Sequence, residues 1–454
     1  MNPLDRLLAP RHVAVAGASD RPDSLGGVVL DNLHRFAGGV AVVHPRGGSV
    51  RGHRATLHPS DLSHAPDLAV IAVPRSAVAA SVDAFLARGT RAFVILTAGF
   101  AESGDTGRDL ETRVAGRIRD QGGVLLGPNS MGLHVAHGEL RLDAGFSRAL
   151  PEPGPVAIIS QSGSITEWIL ARLVPRSVGV TLAASLGNRA LLDDAALLGA
   201  LPDRFPGVRT VLWYAESVPT AEEVTRVRLG LGPDRALVLL RGEFPPGDSG
   251  RHHPAPSGAA PLIPVDSLSR AADVLELRSA WTGVAGRRVA IVANAGGPAR
   301  LAHRTLSQSG VSMPNPSAGL LDRVAQFLPE TAVPGNPLDL SATATAGLFA
   351  RAVTAVAGSG EYDVCLVVFM HPLFRDAEEV AREVAEAVSA TSLPTAAVWM
   401  GDADARGADP ILRRAGIPVF ETPESGARAV AAALPPSRDR KPGTGPDRNT
   451  DTHL

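Results

Sequence analysis

The sequence Gly127-Pro128-Asn129-Ser130-Met131-Gly132 is followed about thirty residues later by Pro155-Val156-Ala157-Ile158-Ile159-Ser160-Gln161-Ser162-Gly163-Ser164. The second stretch begins as a short apolar strand and ends in a turn of small residues. An amphipathic helix is predicted to follow, because Ile165, Ile169 and Leu173 recur at helical spacing. Such a turn leaves backbone N–H groups free at the start of a helix, where an anion binds. The two stretches therefore indicate a junction between two α/β domains, with an anion site beside it.

Apolar strand-like runs alternate with helical patterns on both sides of this junction, which is typical of parallel sheets built from βαβ units. The runs lie at 13–16, 40–43, 68–73, 93–97, 124–126, 156–159, 181–185, 208–214, 236–240, 262–265, 288–293, 364–370, 395–400 and 417–420. We therefore predict three doubly wound domains, near residues 1–148, 151–282 and 286–434. Residues 435–454 contain almost nothing apolar and are predicted to form a disordered tail.

Composition narrows the possible functions. The chain has 454 residues, a net charge of −2 and a pI near 6.7, so no large basic field is present for nucleic acid or membrane headgroups. No apolar run approaches the length of a membrane span, and Met1–Asp5 does not begin a signal peptide, so a cytoplasmic location is expected. The single cysteine, Cys365, is predicted to pack in a buried strand. The histidines show no metal-ligand spacing, and no metal site is predicted.

The turn after the first strand contains Gly17, Ala18 and Ser19 and leads through Ser24 to Gly26 at a helix start. Glycines in such a turn let the backbone approach a phosphate closely, although a purely structural turn has the same composition. Further polar and turn residues follow the next strands. Because the carboxyl ends of parallel strands meet at one edge of a sheet, this edge is the expected ligand site.

Taken together, these motifs resemble those of the NDP-forming acyl-CoA synthetases, which are relatives of succinyl-CoA synthetase. The resemblance covers about residues 5–434. It rests on motifs that occur in one order, at 13–33, 67–74, 97–102, 127–132, 160–164, 185–188, 294–298 and 335–340. It implies an N-terminal Rossmann-like CoA-binding domain followed by two flavodoxin-like succinyl-CoA-ligase domains.

The resemblance also implies site residues. The CoA site would contain Gly17, Ala18, Ser19, Ser24, Gly26, Arg46, Pro74 and Asn129, with Arg46 where the family usually has lysine. Two helix starts would bind phosphate, the first at Ser162, Gly163 and Ser164 and the second at Gly296 and Gly297. Glu216 matches a glutamate that orients the active histidine, although it could also be an ordinary carboxylate at a strand end.

The sequence departs from the family pattern at the phosphorylated histidine. The family has a Ser-His-Thr-Gly stretch and a helix before its Val-Asp-x-Leu segment. Here His253, with His252 as the second candidate, is separated from Val265 by only about eleven residues, so the helix is expected to be missing or much shortened. His253 is therefore either a phosphoryl acceptor or a histidine in a solvated linker.

The predicted domains fill the chain and leave no room for an ATP-grasp domain. The leading hypothesis is an α-type acid–thiol ligase subunit that binds CoA and an acyl phosphate. It would depend on a separate ATP-grasp subunit for ATP, ADP and Mg²⁺, in an oligomer. One alternative is an acyl or carbamoyl transferase that uses the acyl-phosphate pocket without a phosphohistidine. Another is a non-catalytic CoA-binding protein.

Overall fold

The computed structural model describes residues 2–243, 256–281, 283–372, 376–401 and 406–435. The chain forms two compact units, Met1–Ala280 and Trp281–Leu454. Most of the predicted tail lies outside the described residues. No helix among those that the structure describes is long and apolar enough to cross a membrane.

The first sheet has the strand order β3-β4-β2-β1-β5-β6-β7. Its strands are β1 His12–Ala16, β2 Gly39–Val43, β3 Gly48–Val50, β4 His53–Thr56, β5 Leu68–Ile71, β6 Ala92–Ile95 and β7 Val124–Leu126. The helices of this region are α1 Pro3–Leu8, α2 Leu25–Asn32, α3 Arg75–Arg88 and α4 Asp105–Asp120. The chain leaves β1 toward β2 and returns to β5 on the other side of β1. This reversal creates a crevice at the carboxyl ends of β1 and β5.

The second sheet has the order β14-β13-β12-β10-β11-β8-β9. Its strands are β8 Gly132–His137, β9 Leu140–Gly145, β10 Val156–Ser160, β11 Val180–Ser185, β12 Thr210–Ala215, β13 Ala236–Arg241 and β14 Leu262–Val265. The associated helices are α5 Gly163–Leu173, α6 Asp194–Arg204, α7 Ala221–Leu231 and α8 Leu268–Ala280. Here the reversal lies between β10 and β12, so a second crevice opens at their carboxyl ends.

The hairpin of β8 and β9 was not predicted from the sequence. It pairs antiparallel with β11 and so extends the second sheet, although the predicted boundary near residue 148 assigned these residues to the first domain. Side chains of the hairpin, including Leu133 and Leu142, belong to one apolar core with Val29 of α2 and Ile159 of β10. This continuous core explains why the two sheets form a single unit.

The second unit contains a parallel sheet with the order β16-β15-β17-β18-β19. Its strands are β15 Val289–Ala293, β16 Leu338–Asp339, β17 Val364–Met370, β18 Thr395–Met400 and β19 Val419–Phe420. The helices are α9 Gly296–Gln308, α10 Ala318–Ala325, α11 Ala346–Ala357, α12 Ala377–Ser389, α13 Asp409–Arg414 and α14 Pro423–Ala433. Cys365 is completely buried in β17, as predicted. The predicted α/β fold class is confirmed.

Candidate functional site

The turn between β1 and α2 is a tight backbone cradle. Gly17 has a φ of +93°, and a Cβ added there would lie 2.4 Å from the carbonyl oxygen of Ala72. A Cβ on Gly26 would lie 2.7 Å from the amide nitrogen of Ala18. Contacts this short exclude any side chain, so both positions require glycine. The first turn of α2 is thereby held directly against the loop that follows β1.

Polar groups of the same turn are arranged around the start of α2. Ser24 is the N-cap, and its Oγ accepts a hydrogen bond from the amide of Gly27 at 3.2 Å. The Oγ atom of Ser19 is buried and has no hydrogen-bond partner among the described residues. A buried hydroxyl without a partner is costly unless a ligand or water reaches it. The orphaned hydroxyl and the glycine cradle both fit a phosphate-bearing ligand such as CoA.

Arg46 and Pro74 lie at the same edge of the first sheet. Arg46 follows β2 in an exposed turn, where its amide donates to Nδ1 of His44 at 3.3 Å. Pro74 is exposed and precedes α3 as its N-cap. The sheet thus places both residues on the edge that carries Gly17, with the Arg46 side chain exposed to solvent.

Asn129 lies at the seam between the two sheets of the first unit. It has a φ of +57°, and its amide donates to the carbonyl oxygen of Thr97 at 3.0 Å. The turn at Gly187 and Asn188 packs against it, because the Asn188 amide donates to the Pro128 carbonyl at 3.0 Å. A Cβ on Gly187 would lie only 2.2 Å from that carbonyl oxygen. The seam therefore brings the end of β7 directly against the end of β11.

Asn188 also binds two carboxylates of the first sheet. Its Nδ2 donates to Glu102 at 2.5 Å and to Glu111 at 2.7 Å. Partial burial opposes ionisation of Glu102, but hydrogen bonds from Asn188 and from the amides of Gly99 and Phe100 outweigh it and lower its pKa. An ionised Glu102 thus ties the loop after β6 to the second sheet.

The helix start at residues 162–164 has the geometry of an anion site. Ser162 is the N-cap of α5, and its Oγ accepts from the amide of Ile165 at 3.4 Å. Ser164 is exposed, and its hydroxyl lies 3.0 Å from that of Ser162. Gly163 packs against Met131 of the seam, since a Cβ there would lie 3.1 Å from the Met131 Cβ. The first turn of α5 thus offers unpaired N–H groups next to the first sheet.

Glu216 lies across the crevice from this helix start. It follows β12, and its side chain is exposed. Its backbone amide donates to Oε1 of Gln161, the residue before Ser162, at 2.9 Å. Burial, and then the negative charge of Glu216, raise the pKa of Tyr214. The structure therefore brings Glu216 and Ser162 to adjacent strand ends.

A buried network that the sequence analysis missed supports this arrangement. The carboxylate of Asp194, which is 5% exposed, accepts hydrogen bonds from Gln161 at 3.0 Å, Arg189 at 2.8 Å and Trp213 at 3.1 Å. Asp194 thereby orients Gln161 between Ser162 and Glu216. The sequence contained no local signal for this role, because Gln161 and Asp194 are far apart along the chain.

Gly296 and Gly297 begin α9 in the second unit, and their N-cap residue, Ala295, makes no side-chain capping bond. Oδ2 of Asp339 lies 2.9 Å from the position that a Cβ on Gly296 would occupy, so a carboxylate faces this helix start. Asn294 fixes the neighbouring strand ends by donating to the carbonyl of Met370 at 2.9 Å and accepting from its amide at 2.8 Å. The anion role of this helix start stays a prediction.

The candidate histidines, His252 and His253, lie outside the described residues. The described segment that follows, 256–261, is irregular and leads directly into β14. The helix that the family pattern would place before Val265 is thus absent from these residues. In the described parts of the chain, no cluster of three histidine, cysteine, aspartate or glutamate residues could hold a metal ion.

Comparison with known protein families identifies two domains. Residues 11–136 match a CoA binding domain. Residues 153–252 match a succinyl-CoA ligase like flavodoxin domain. The first match includes the glycine cradle, and the second includes the helix start at Ser162 and also Glu216.

Relatives extend the similarity over most of the chain. The α subunit of ADP-forming acetate–CoA ligase II from Pyrococcus furiosus is 28% identical, over 95% of this chain and 97% of the subunit. ADP-forming acetate–CoA ligase I from Archaeoglobus fulgidus is also 28% identical over 94% of this chain, but the chain covers only 63% of that protein.

Two solved structures have the same fold. The crystal structure of PH0766 from Pyrococcus horikoshii gives a TM-score of 0.83 at 26% identity and covers 95% of this chain and 98% of its own. A dinucleotide-forming acetyl-coenzyme A synthetase from Ca. Korarchaeum cryptofilum, in complex with phosphate and ADP, gives a TM-score of 0.82 at 26% identity. The match covers 95% of this chain and 96% of that chain. The chain therefore contains a CoA-binding domain and a succinyl-CoA-ligase-like flavodoxin domain, and over nearly its whole length it is similar to the α subunits of ADP-forming acetate–CoA ligases.

Proposed function

We propose that this protein is the α-type component of an NDP-forming acyl-CoA synthetase in the cytoplasm. It binds CoA at the cradle between β1 and α2, and an acyl phosphate at the start of α5. A separate ATP-grasp subunit binds ATP and Mg²⁺ and exchanges phosphate with this chain. Acetate, the acid for which the matched relatives are named, is the first substrate to test.

The seam at residues 127–132 is the observation that carries this proposal. It joins the edge of the first sheet, where CoA would bind, to α5, where the acyl phosphate would bind. Met131 of this turn packs on Gly163, and Asn129 lies beside the loop at Thr97. A thiol held by the first sheet would thus approach an anion held by the second.

Thioester formation requires mainly that the CoA thiol and the acyl phosphate lie close together. The CoA thiol loses its proton and forms a carbon–sulfur bond with the acyl carbonyl, while the carbon–oxygen bond to phosphate breaks and inorganic phosphate leaves. Negative charge develops on the departing phosphate. The N–H groups at the start of α5, with the hydroxyls of Ser162 and Ser164, stabilise that charge.

Phosphoryl transfer to a nucleotide would require further groups. We assign His253, or His252 in its place, as the phosphoryl acceptor and Glu216 as the carboxylate that orients it. An exposed Glu216 at the strand end beside Ser162 supports this assignment. The start of α9, at Gly296 and Gly297, is proposed as a second phosphate-binding helix start.

The test is reconstitution with an ATP-grasp subunit. Acetate, ATP and CoA should yield acetyl-CoA, ADP and phosphate in equal amounts, and Glu216→Gln should abolish nucleotide turnover. Glu222→Gln is the matched control, because Glu222 is an exposed glutamate that also follows β12, in the first turn of α7. Failure of every ATP-grasp subunit tested to support product formation would contradict the ligase proposal.

A second candidate is an acyl or carbamoyl transferase that needs no nucleotide. The described segment 256–261 is irregular where the family pattern has a helix, which favours the transferase. Two results together would select the transferase. Thioester formation from an acyl phosphate would survive His252→Ala and His253→Ala, and the unmutated chain would show no nucleotide-dependent activity. Acid-labile phosphate on either histidine would select the ligase.

A further inference from the structure

Arg51 lies at the turn between β3 and β4 and extends over the loop between β1 and α2. Its φ of +50° is uncommon for a residue with a side chain. The side chain is 23% exposed. The sequence analysis did not identify this residue, because its contacts lie 20 to 32 residues away along the chain.

The guanidinium of Arg51 binds three points around the cradle. Nη2 donates to the carbonyl of Arg21 at 3.0 Å, Nε donates to that of Ser19 at 3.4 Å, and Nη1 pairs with Asp31 of α2 at 2.5 Å. A Cβ on Gly27 would lie 2.9 Å from Nη2 of Arg51, so the first turn of α2 packs directly on the guanidinium.

The backbone of Arg51 completes the clamp. Its amide donates to Oδ1 of Asp20 at 2.7 Å, so the Asp20 side chain points toward the turn between β3 and β4. In a trans peptide the C=O and N–H groups point in opposite directions. With the Ser19 carbonyl directed at Arg51, the Asp20 N–H is directed away from Arg51.

We propose that Arg51 is a positioning residue for CoA binding, which holds the loop between β1 and α2 in the conformation that receives the phosphates. This inference rests on the proposed function of the cradle. Arg51 acts through the loop, since its charge is paired with Asp31. The guanidinium of Arg46 is exposed at this edge and is available to a phosphate.

The residue type is specific to this task. A planar guanidinium presents several N–H donors in a fixed fork, whereas a lysine ammonium is a compact charge on a flexible stem. Lysine at position 51 keeps the charge beside Asp31 but cannot span Ser19, Arg21 and Asp31 together. Arg51→Lys should therefore weaken CoA binding despite the conserved charge.

The test compares Arg51→Gln and Arg51→Lys with Arg54→Gln in the full chain. Arg54 is an exposed arginine on β4 of the same hairpin and serves as the matched control. CoA dissociation constants come from calorimetry, and KM and kcat come from the reconstituted synthetase. Arg51→Gln should weaken CoA binding at least tenfold, Arg51→Lys by an intermediate factor and Arg54→Gln by less than twofold.

The kinetic constants separate positioning from general damage. With Arg51→Gln, KM for CoA should rise with its dissociation constant, while kcat at saturating CoA and KM for acetate stay within twofold. An unchanged CoA affinity in Arg51→Gln, or an equal rise in KM for acetate, would overturn the inference. Arg51→Lys supplies the same comparison if Arg51→Gln does not fold. If the unmutated chain does not bind CoA, the proposed function itself fails.

Salt dependence distinguishes positioning from direct contact with CoA. Binding of CoA phosphates should weaken as potassium chloride rises. Because Arg51 is paired with Asp31, Arg51→Gln should show the same relative salt dependence as the unmutated chain. A clearly smaller salt dependence in Arg51→Gln would mean that Arg51 contacts a phosphate, which would overturn the positioning role.

Discussion

Replacement of Gly187 by alanine should open the seam between the two sheets of the first unit. Gly187 has a φ of +56°, and an alanine Cβ would lie 2.2 Å from the carbonyl oxygen of Pro128. That oxygen belongs to rigid backbone, so the turn at Gly187 must move. Movement weakens the bonds from the Asn188 amide to Pro128, at 3.0 Å, and from the Ala190 amide to Gly127, at 3.2 Å.

The magnitude follows from two separable costs. A left-handed conformation costs an alanine about 1–2 kcal/mol relative to glycine. The two lost backbone hydrogen bonds contribute about 1 kcal/mol each. Gly138 isolates the first cost, because it has a φ of +55° and an added Cβ would meet nothing within 4 Å. Gly187→Ala should therefore be about 2 kcal/mol less stable than Gly138→Ala.

Urea unfolding of the two variants measures this difference, and CoA-dependent thioester formation measures its effect on function. Gly138→Ala should keep nearly full activity. Gly187→Ala should lose most of it, because in the proposed function the seam positions the CoA-binding edge of the first sheet against α5. Equal stability and equal activity of the two variants would refute the role assigned to the seam.

Three further predictions concern buried or paired groups. His134→Ala should cost about 1–3 kcal/mol in urea unfolding, because it leaves Asp143, whose side chain is 2% exposed, without its 2.5 Å hydrogen-bond partner; an unchanged stability would contradict this. The pKa of Glu102 is lowered in the folded state, so its contribution to stability is present above the ordinary glutamate pKa and is lost as pH falls through the lowered value. Thermal unfolding should therefore show that the difference in stability between the unmutated chain and Glu102→Gln shrinks in acid. A difference that does not change with pH would contradict this prediction. Burial raises the pKa of the Cys365 thiol to about 12. Iodoacetamide at pH 8 should therefore modify the denatured chain but not the native one. Rapid labelling of the native protein would contradict this prediction.

The parallel sheets could be predicted because their strands are buried on both faces and therefore form continuous apolar runs. The run at 156–159, for example, became β10, Val156–Ser160. The glycine turns were equally visible, since Gly17 and Gly26 occur at a strand end and a helix start. The order of these local patterns along the chain then indicated the resemblance to a known family.

The hairpin β8–β9 could not be assigned in the same way. Its two strands, of six residues each, are bounded by Gly132 and Gly145, and nothing local in that pattern shows which sheet they extend. Their pairing with β11 depends on residues about fifty positions away. The domain boundary predicted near residue 148 therefore remains a prediction, while the hairpin itself is part of the second sheet.

The supporting residues of the candidate site were invisible for a related reason. Arg51 and Asp194 act through contacts with residues that are distant in sequence, and neither lies in a motif that the sequence analysis recognised. Only the fold brings Arg51 onto Ser19 and Asp194 onto Gln161. Residues that contact a ligand leave local patterns, whereas residues that position them leave patterns only in three dimensions.

The most direct test of the central claim is thioester formation from acetyl phosphate and CoA without nucleotide. In the proposed function, this half-reaction needs only the cradle between β1 and α2 and the helix start at Ser162, on opposite sides of the seam. We predict that the chain, with its ATP-grasp partner present, releases acetyl-CoA and phosphate in equal amounts. Bound CoA and intact acetyl phosphate with no thioester formed would contradict the claim that the seam joins the two sites.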